Sequence, residues 1–97
     1  MKNITYEQLQ DWIKNEKQFQ LIDVREADEH ASFNIGGTLI PLSKFIKIKD
    51  LDTSMPIVVY CKRGIRSQIA IQRLANRFPE ADFYNLDKGI LHLNKIS

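Results

Sequence analysis

Apolar residues along this chain keep two rhythms. Thr5 and Gln8 form a capping box, and Leu9, Trp12 and Ile13 then recur at helical spacing, predicting a helix to about Lys17. Phe19 to Val24 is a short apolar run that reads as a buried strand with Asp23 near its carboxyl end. Glu26 to Phe33 is expected to be a short helix, Asn34 to Gly37 a turn, and Thr38 to Ile40 a minimal strand stopped by Pro41. Ser43 can cap a helix that turns Phe45, Ile46 and Ile48 inward.

The strongest strand signal is Ile57-Val58-Val59-Tyr60, whose unbroken apolar run suits a central strand covered on both faces. Ser67 to Phe78 is predicted helical, with Ala70, Ile71, Leu74, Ala75 and Phe78 on one face and Pro79 as the stop. Phe83 to Leu86 is another strand, and Gly89 precedes a final short helix. Strands alternating with helices predict an α/β fold, a parallel sheet flanked by helices on both faces. Ligand sites in such sheets form beyond the carboxyl ends of the strands.

Ninety-seven residues suffice for one domain, expected to span 1–97 and to bury about two thirds of its unfolded surface without crosslinks. No apolar run is long enough to cross a membrane, and the polar stretch Met1 to Trp12 is not a signal peptide. The single cysteine, Cys61, excludes an intrachain disulfide framework and a multi-thiolate metal site, and points to the reducing cytoplasm. No cofactor or metal is expected. No partner-facing apolar stripe is legible, so the chain is expected to be a monomer.

Charge is unevenly distributed. Between Thr53 and Pro79 there is no acidic residue, and Lys62, Arg63, Arg66, Arg73 and Arg77 give that window +5, against −3 for the rest of the chain. Cys61 lies inside the window. Such a field favours an anionic substrate or an acidic partner. Nucleic acid is not expected, because no aromatic interleaves the basic residues apart from Phe78.

The segment Tyr60-Cys61-Lys62-Arg63-Gly64-Ile65-Arg66-Ser67 joins the best strand to the best helix. It contains no proline, so all six residues from Lys62 to Ser67 carry a backbone N–H, and Gly64 permits a positive φ. A loop curled around the sulfur would form an anion nest, reinforced by the helix dipole and Arg66, and would favour the thiolate. No histidine base is needed, and His30 and His92 are both distant from Cys61 in sequence. They read as surface or packing residues, and Trp12 as helix core.

Cys61-x-x-Gly64-x-Arg66-Ser67, entered by an apolar strand, resembles the active-site loop of rhodanese-type sulfurtransferases. Asp23-Val24-Arg25 resembles that family's Asp-x-Arg motif at a strand end, and Asn85 to Ile90 its C-terminal turn. The resemblance runs in register from about Ile4 to Leu93. It implies a five-stranded, mostly parallel sheet and ping-pong transfer of a sulfane sulfur through a Cys61 persulfide. The donor would be thiosulfate or a persulfide. The acceptor would be cyanide, a thiol, or a thiol or sulfur-carrier protein.

Two stretches depart from the family pattern. Phe33-Asn34-Ile35-Gly36-Gly37-Thr38 stands where Gly-His-Ile-Pro-Gly-Ala is usual. It is similar to rhodanese domains fused to adenylating enzymes, which implies a sulfur-relay role. Lys88-Gly89 replaces a Gly-Gly pair, and His92 and Leu93 stand in place of the usual tryptophan.

The expected site is therefore Cys61 as nucleophile and Lys62, Arg63, Gly64, Ile65, Arg66 and Ser67 as the persulfide-binding loop, supported by Asp23, Arg25 and Glu29. Arg66 should brace the loop against Glu29 or Glu26. Ser67 should cap the helix and donate to the outer sulfur. Asp23 should tie the strand end to the loop, and Arg25 should pair with a neighbouring carboxylate. Lys62 and Arg63 should face outward and attract the anion. A partner-dependent relay or binding module is the alternative. A phosphatase or arsenate reductase is disfavoured: those relatives place one more residue between cysteine and arginine, whereas only the four residues Lys62 to Ile65 separate them here.

Overall fold

The computed structural model describes residues 1–94, so the last three positions of the expected 1–97 domain lie outside the described residues. The chain runs β1 (Lys2–Ile4), α1 (Tyr6–Lys14), β2 (Gln20–Asp23), α2 (Ala27–Ser32), β3 (Thr38–Leu39), α3 (Leu42–Phe45), β4 (Ile57–Tyr60), α4 (Ile65–Ala75), β5 (Phe83–Leu86) and a 3-10 turn (Leu91–Leu93). The strands form one sheet in the order β1-β5-β4-β2-β3, and every neighbouring pair is parallel.

The central position of β4 follows from its composition. Ile57, Val59 and Cys61 enter one apolar cluster, with Ala70, Ile71 and Leu74 of α4 and Phe45 of α3. Val58 and Tyr60 enter the opposite cluster, with Leu9 of α1 and Ile90. Four β4 side chains and Cys61 are thus sealed from water on alternating faces, as a parallel strand covered on both sides requires. Register places the carboxyl ends of three strands side by side: Asp23 pairs with Tyr60, and Val59 with Asn85. Among the described residues, no helix is long and apolar enough to cross a membrane.

Several boundaries differ from the expectation. β1 has no counterpart in the predicted elements, because only Ile4 of its three residues is buried. The capping box forms, with the Gln8 amide donating to Thr5 Oγ1 and the Thr5 amide to Gln8 Oε1. However, α1 ends at Lys14, and Ile13 is half exposed rather than inward. α3 begins behind Pro41 rather than at Ser43, and stops before Ile46. α4 begins at Ile65, two residues before the expected Ser67, and Ala75 faces solvent.

Candidate active site

Cys61 leaves β4 directly into the loop, which reverses at Gly64 with φ +90 and ψ 0, a left-handed conformation that glycine adopts without strain. Gly64 is also the cap position of α4, and no side chain caps that end. The expected cap role of Ser67 is therefore corrected: Ser67 lies inside the first turn, fully buried.

Cys61 Sγ accepts hydrogen bonds from the Gly64 amide at 3.1 Å and the Ser67 amide at 3.4 Å. These are two of the six loop amides. The amides of Lys62, Arg63, Ile65 and Arg66 make no hydrogen bond to Sγ, so the expected nest of six donors is reduced to one from the turn at Gly64 and one from the first turn of α4 at Ser67. Ser67 Oγ is 3.4 Å from the sulfur and donates to Asn85 Oδ1 on β5. Cys61 is a free, buried cysteine at the foot of a cavity of about 300 Å³, whose other walls are Lys62, Arg63, Ile65 and Arg66. Lys62 and Arg63 are exposed.

Arg66 pairs bidentately with Glu29 of α2: Nη1 to Oε1 at 2.7 Å and Nη2 to Oε2 at 2.9 Å. The Arg66 guanidinium pulls the Glu29 carboxyl from its usual 4.5 down to about 2. Glu29 thus binds its proton more weakly folded than unfolded. The pair contributes fully above the ordinary carboxylate range, and its contribution drains away as pH falls from about 4.5 toward 2. Both side chains are partly exposed and screened by water, so we expect Glu29→Gln to cost about 1 kcal/mol at pH 7. Urea unfolding at pH 7 and pH 3 should show that difference shrinking at the lower pH.

Asp23 does not reach the loop, contrary to expectation. Its buried carboxylate accepts from Arg25 Nε at 2.9 Å and Nη2 at 2.8 Å, and from His30 Nδ1 at 2.8 Å. Burial pushes the Asp23 carboxyl up, but hydrogen bonds from Arg25 and His30 outweigh it and hold it below its usual value. Arg25 Nη2 also donates to the Phe33 carbonyl at 2.6 Å, just past the end of α2. Asp23, Arg25 and His30 therefore fasten α2 to the end of β2, and α2 in turn presents Glu29 to Arg66. The aspartate acts on the loop at one remove.

The loop's entrance is held from the other side by the C-terminal turn. The amides of Ile90 and Leu91 donate to the Lys62 carbonyl at 3.0 and 2.9 Å. Gly89, at φ +60, packs so closely that a Cβ there would lie 2.4 Å from Lys62 O and 2.5 Å from Cys61 O. We expect Gly89→Ala to cost about 2–3 kcal/mol, because both contacts are backbone atoms that cannot step aside. Thermal unfolding measures it, and an unchanged midpoint would contradict the contact.

Asn85, Gly89 and His30 were not singled out for the site from sequence. A polar Asn85 inside an otherwise apolar strand is one signal, and the resemblance of Asn85 to Ile90 to a family turn, which includes Gly89, is another. His92 lies in the 3-10 turn, exposed, and makes no hydrogen bond to Cys61. Among the described residues, no cluster of three His, Cys, Asp or Glu side chains is arranged to hold a metal.

Comparison with known proteins places this geometry in a family. Residues 5–95 match the rhodanese-like domain model. The chain is 35% identical over 91 residues to the uncharacterized protein YqhL of Bacillus subtilis, covering 92% of this chain and 69% of that one. It is 36% identical over 86 residues to the adenylyltransferase and sulfurtransferase MOCS3 of Drosophila grimshawi, covering 79% of this chain but only 19% of that protein. Among solved structures, a rhodanese-like domain protein from Staphylococcus aureus superposes with a TM-score of 0.80 at 25% identity, covering 93% of this chain and 88% of that one. The human single domain sulfurtransferase TSTD1 shares the fold, with a TM-score of 0.73 at 20% identity and coverage of 100% and 99%. A sheet with Cys61 at its central carboxyl end, a loop closed by Gly64 and Arg66, and a family match spanning nearly the whole chain lead to one assignment: this chain belongs to the rhodanese-like domain family.

Proposed function

We propose that the chain is a sulfurtransferase, organised as one rhodanese domain, that carries a sulfane sulfur on Cys61. The observation that carries this reading is the cavity of about 300 Å³ with Cys61 at its foot, two amides donating to its sulfur, and Lys62 and Arg63 at its walls. The nucleophile in such a transfer is the thiolate, and both amides donate to the atom that would carry its charge. The name borne by the MOCS3 relatives, adenylyltransferase and sulfurtransferase, agrees with that chemistry, although the chain spans about a fifth of their length.

In the first half-reaction the Cys61 thiolate attacks the outer sulfur of thiosulfate. A bond forms between Sγ and that sulfur, the thiosulfate S–S bond breaks, and sulfite leaves with the electron pair. Lys62 and Arg63 attract the dianion, and the Arg66–Glu29 pair keeps the loop in shape. In the second half-reaction a nucleophile takes the outer sulfur and Cys61 leaves as thiolate. Cyanide would give thiocyanate, and a thiol would give a new persulfide. A free thiol of this kind works in a reducing compartment, and we place the chain in the cytoplasm.

Intact mass after incubation with thiosulfate tests the reading. A gain of about 32 Da, one sulfur atom, located on Cys61 supports it. An unchanged mass with thiosulfate and with a persulfide donor alike would overturn it.

A further inference from the structure

The cavity's outer lip carries more than a small anion requires. Ile65, which walls the cavity, is 63% exposed, and Ile69, one turn later on α4, is 37% exposed. Gln68, Gln72 and Arg73 share the solvent side of that helix, and no acidic residue interrupts it. Among the described residues, Lys62, Arg63 and Arg73 enter no ion pair, whereas Arg66 is neutralised by Glu29. Lys62 also borders a neighbouring cavity that contains Asp28 and Glu29, so the unopposed charge lies on the α4 side. Cations alone would suffice to attract thiosulfate. Two adjacent exposed isoleucines gain nothing from it, but they match the aliphatic side chains of a protein surface.

We propose that the exposed face of α4, from Ile65 through Ile69 to Arg73 with Arg63 beside it, is the docking surface for an acidic protein segment bearing the acceptor cysteine. This rests on the sulfurtransferase reading and names the acceptor's chemistry. Acidic side chains of the segment meet Arg63 and Arg73, and an aliphatic residue beside its cysteine covers Ile65 and Ile69. The acceptor thiolate then attacks the outer sulfur of the Cys61 persulfide. A new S–S bond forms on the acceptor, the bond to Cys61 Sγ breaks, and Cys61 departs as thiolate, with no net oxidation or reduction. Charge complementarity of this kind acts mainly on the rate of encounter and on partner choice.

Three synthetic peptides of equal length test it, each with one cysteine next to a leucine and flanked by Asp/Glu, Asn/Gln or Lys. Sulfur transfer from the thiosulfate-loaded chain should be about tenfold faster to the acidic than to the lysine peptide at low salt, converging at about 0.5 M salt. Ile69→Ser and Arg73→Glu should each slow transfer to the acidic peptide about fivefold while leaving thiosulfate-to-cyanide turnover unchanged. Amide NMR shifts induced by a Cys→Ser form of the acidic peptide should cluster in residues 62–73. Equal rates for all three peptides, or an acidic preference that survives Arg73→Glu, would overturn the proposal. Clustered shifts from a chain that moves no sulfur in any assay would support the surface and sink the sulfurtransferase reading instead.

Discussion

Cys61→Ser should take up no sulfur from thiosulfate, and its turnover with cyanide should fall at least about a thousandfold, to background. The substitution is close to isosteric and keeps a hydrogen-bond acceptor in reach of the Gly64 and Ser67 amides, so the fold should survive it. Retained stability in urea, together with lost uptake, separates chemistry from structure. A serine alkoxide is not available at neutral pH, and an oxygen nucleophile would not form the S–S bond that carries the product. Residual turnover within about tenfold of the parent would place the transferred sulfur elsewhere and remove Cys61 from the reaction.

Asp23→Ala should be the most damaging single change to stability, costing about 3–5 kcal/mol. Asp23 is completely buried and Arg25 only 5% exposed, so deleting the carboxylate strands a guanidinium in the interior with the Phe33 carbonyl as its remaining partner. For a chain of this length, that cost lowers the unfolding midpoint by about 15 °C or more. Asp23→Ala combined with Arg25→Met should be less destabilised than Asp23→Ala alone, because the orphaned charge leaves with its partner. A double variant as unstable as the single one would show that packing, not the pair, sets the cost. Because the Asp23 carboxyl is held below its usual value, the pair's contribution is complete at neutral pH. It is lost only as pH falls through and below the ordinary carboxylate range.

What could be read in the sequence was whatever composition alone dictates. Ile57 to Tyr60 had to be a central strand because no exposed face can be cut from four consecutive apolar residues, and Cys61 then had to stand at its carboxyl end. The Arg66–Glu29 contact was legible as a type of partner rather than as a fact, since 37 residues separate the two and only the packing of α2 brings them together. β1 was not legible, because three residues with one buried side chain carry no period. α4 starts at Ile65 rather than at Ser67 for a chemical reason. Ser67 has the side chain of a stronger cap, whereas Gly64, a weaker cap residue, begins the helix without a side-chain hydrogen bond. That displacement hid the alignment of Ile65 with Ile69. The place of Asp23 at a strand end does not fix which way its carboxylate turns, and it turns to Arg25 and His30 rather than to the loop.

The depth of the Cys61 sulfur has a further consequence, for ageing of the protein. Sγ sits beneath its own loop, in a residue 1% exposed, and the chain has no second cysteine to trap an oxidised one. Two copies cannot bring these atoms to bonding distance while both loops keep their shape, so storage in air should not accumulate covalent dimers. Damage should fall instead to oxidants small enough to enter. Peroxide would carry the thiol to sulfenic and then to irreversible sulfinic acid, with no internal thiol to halt it.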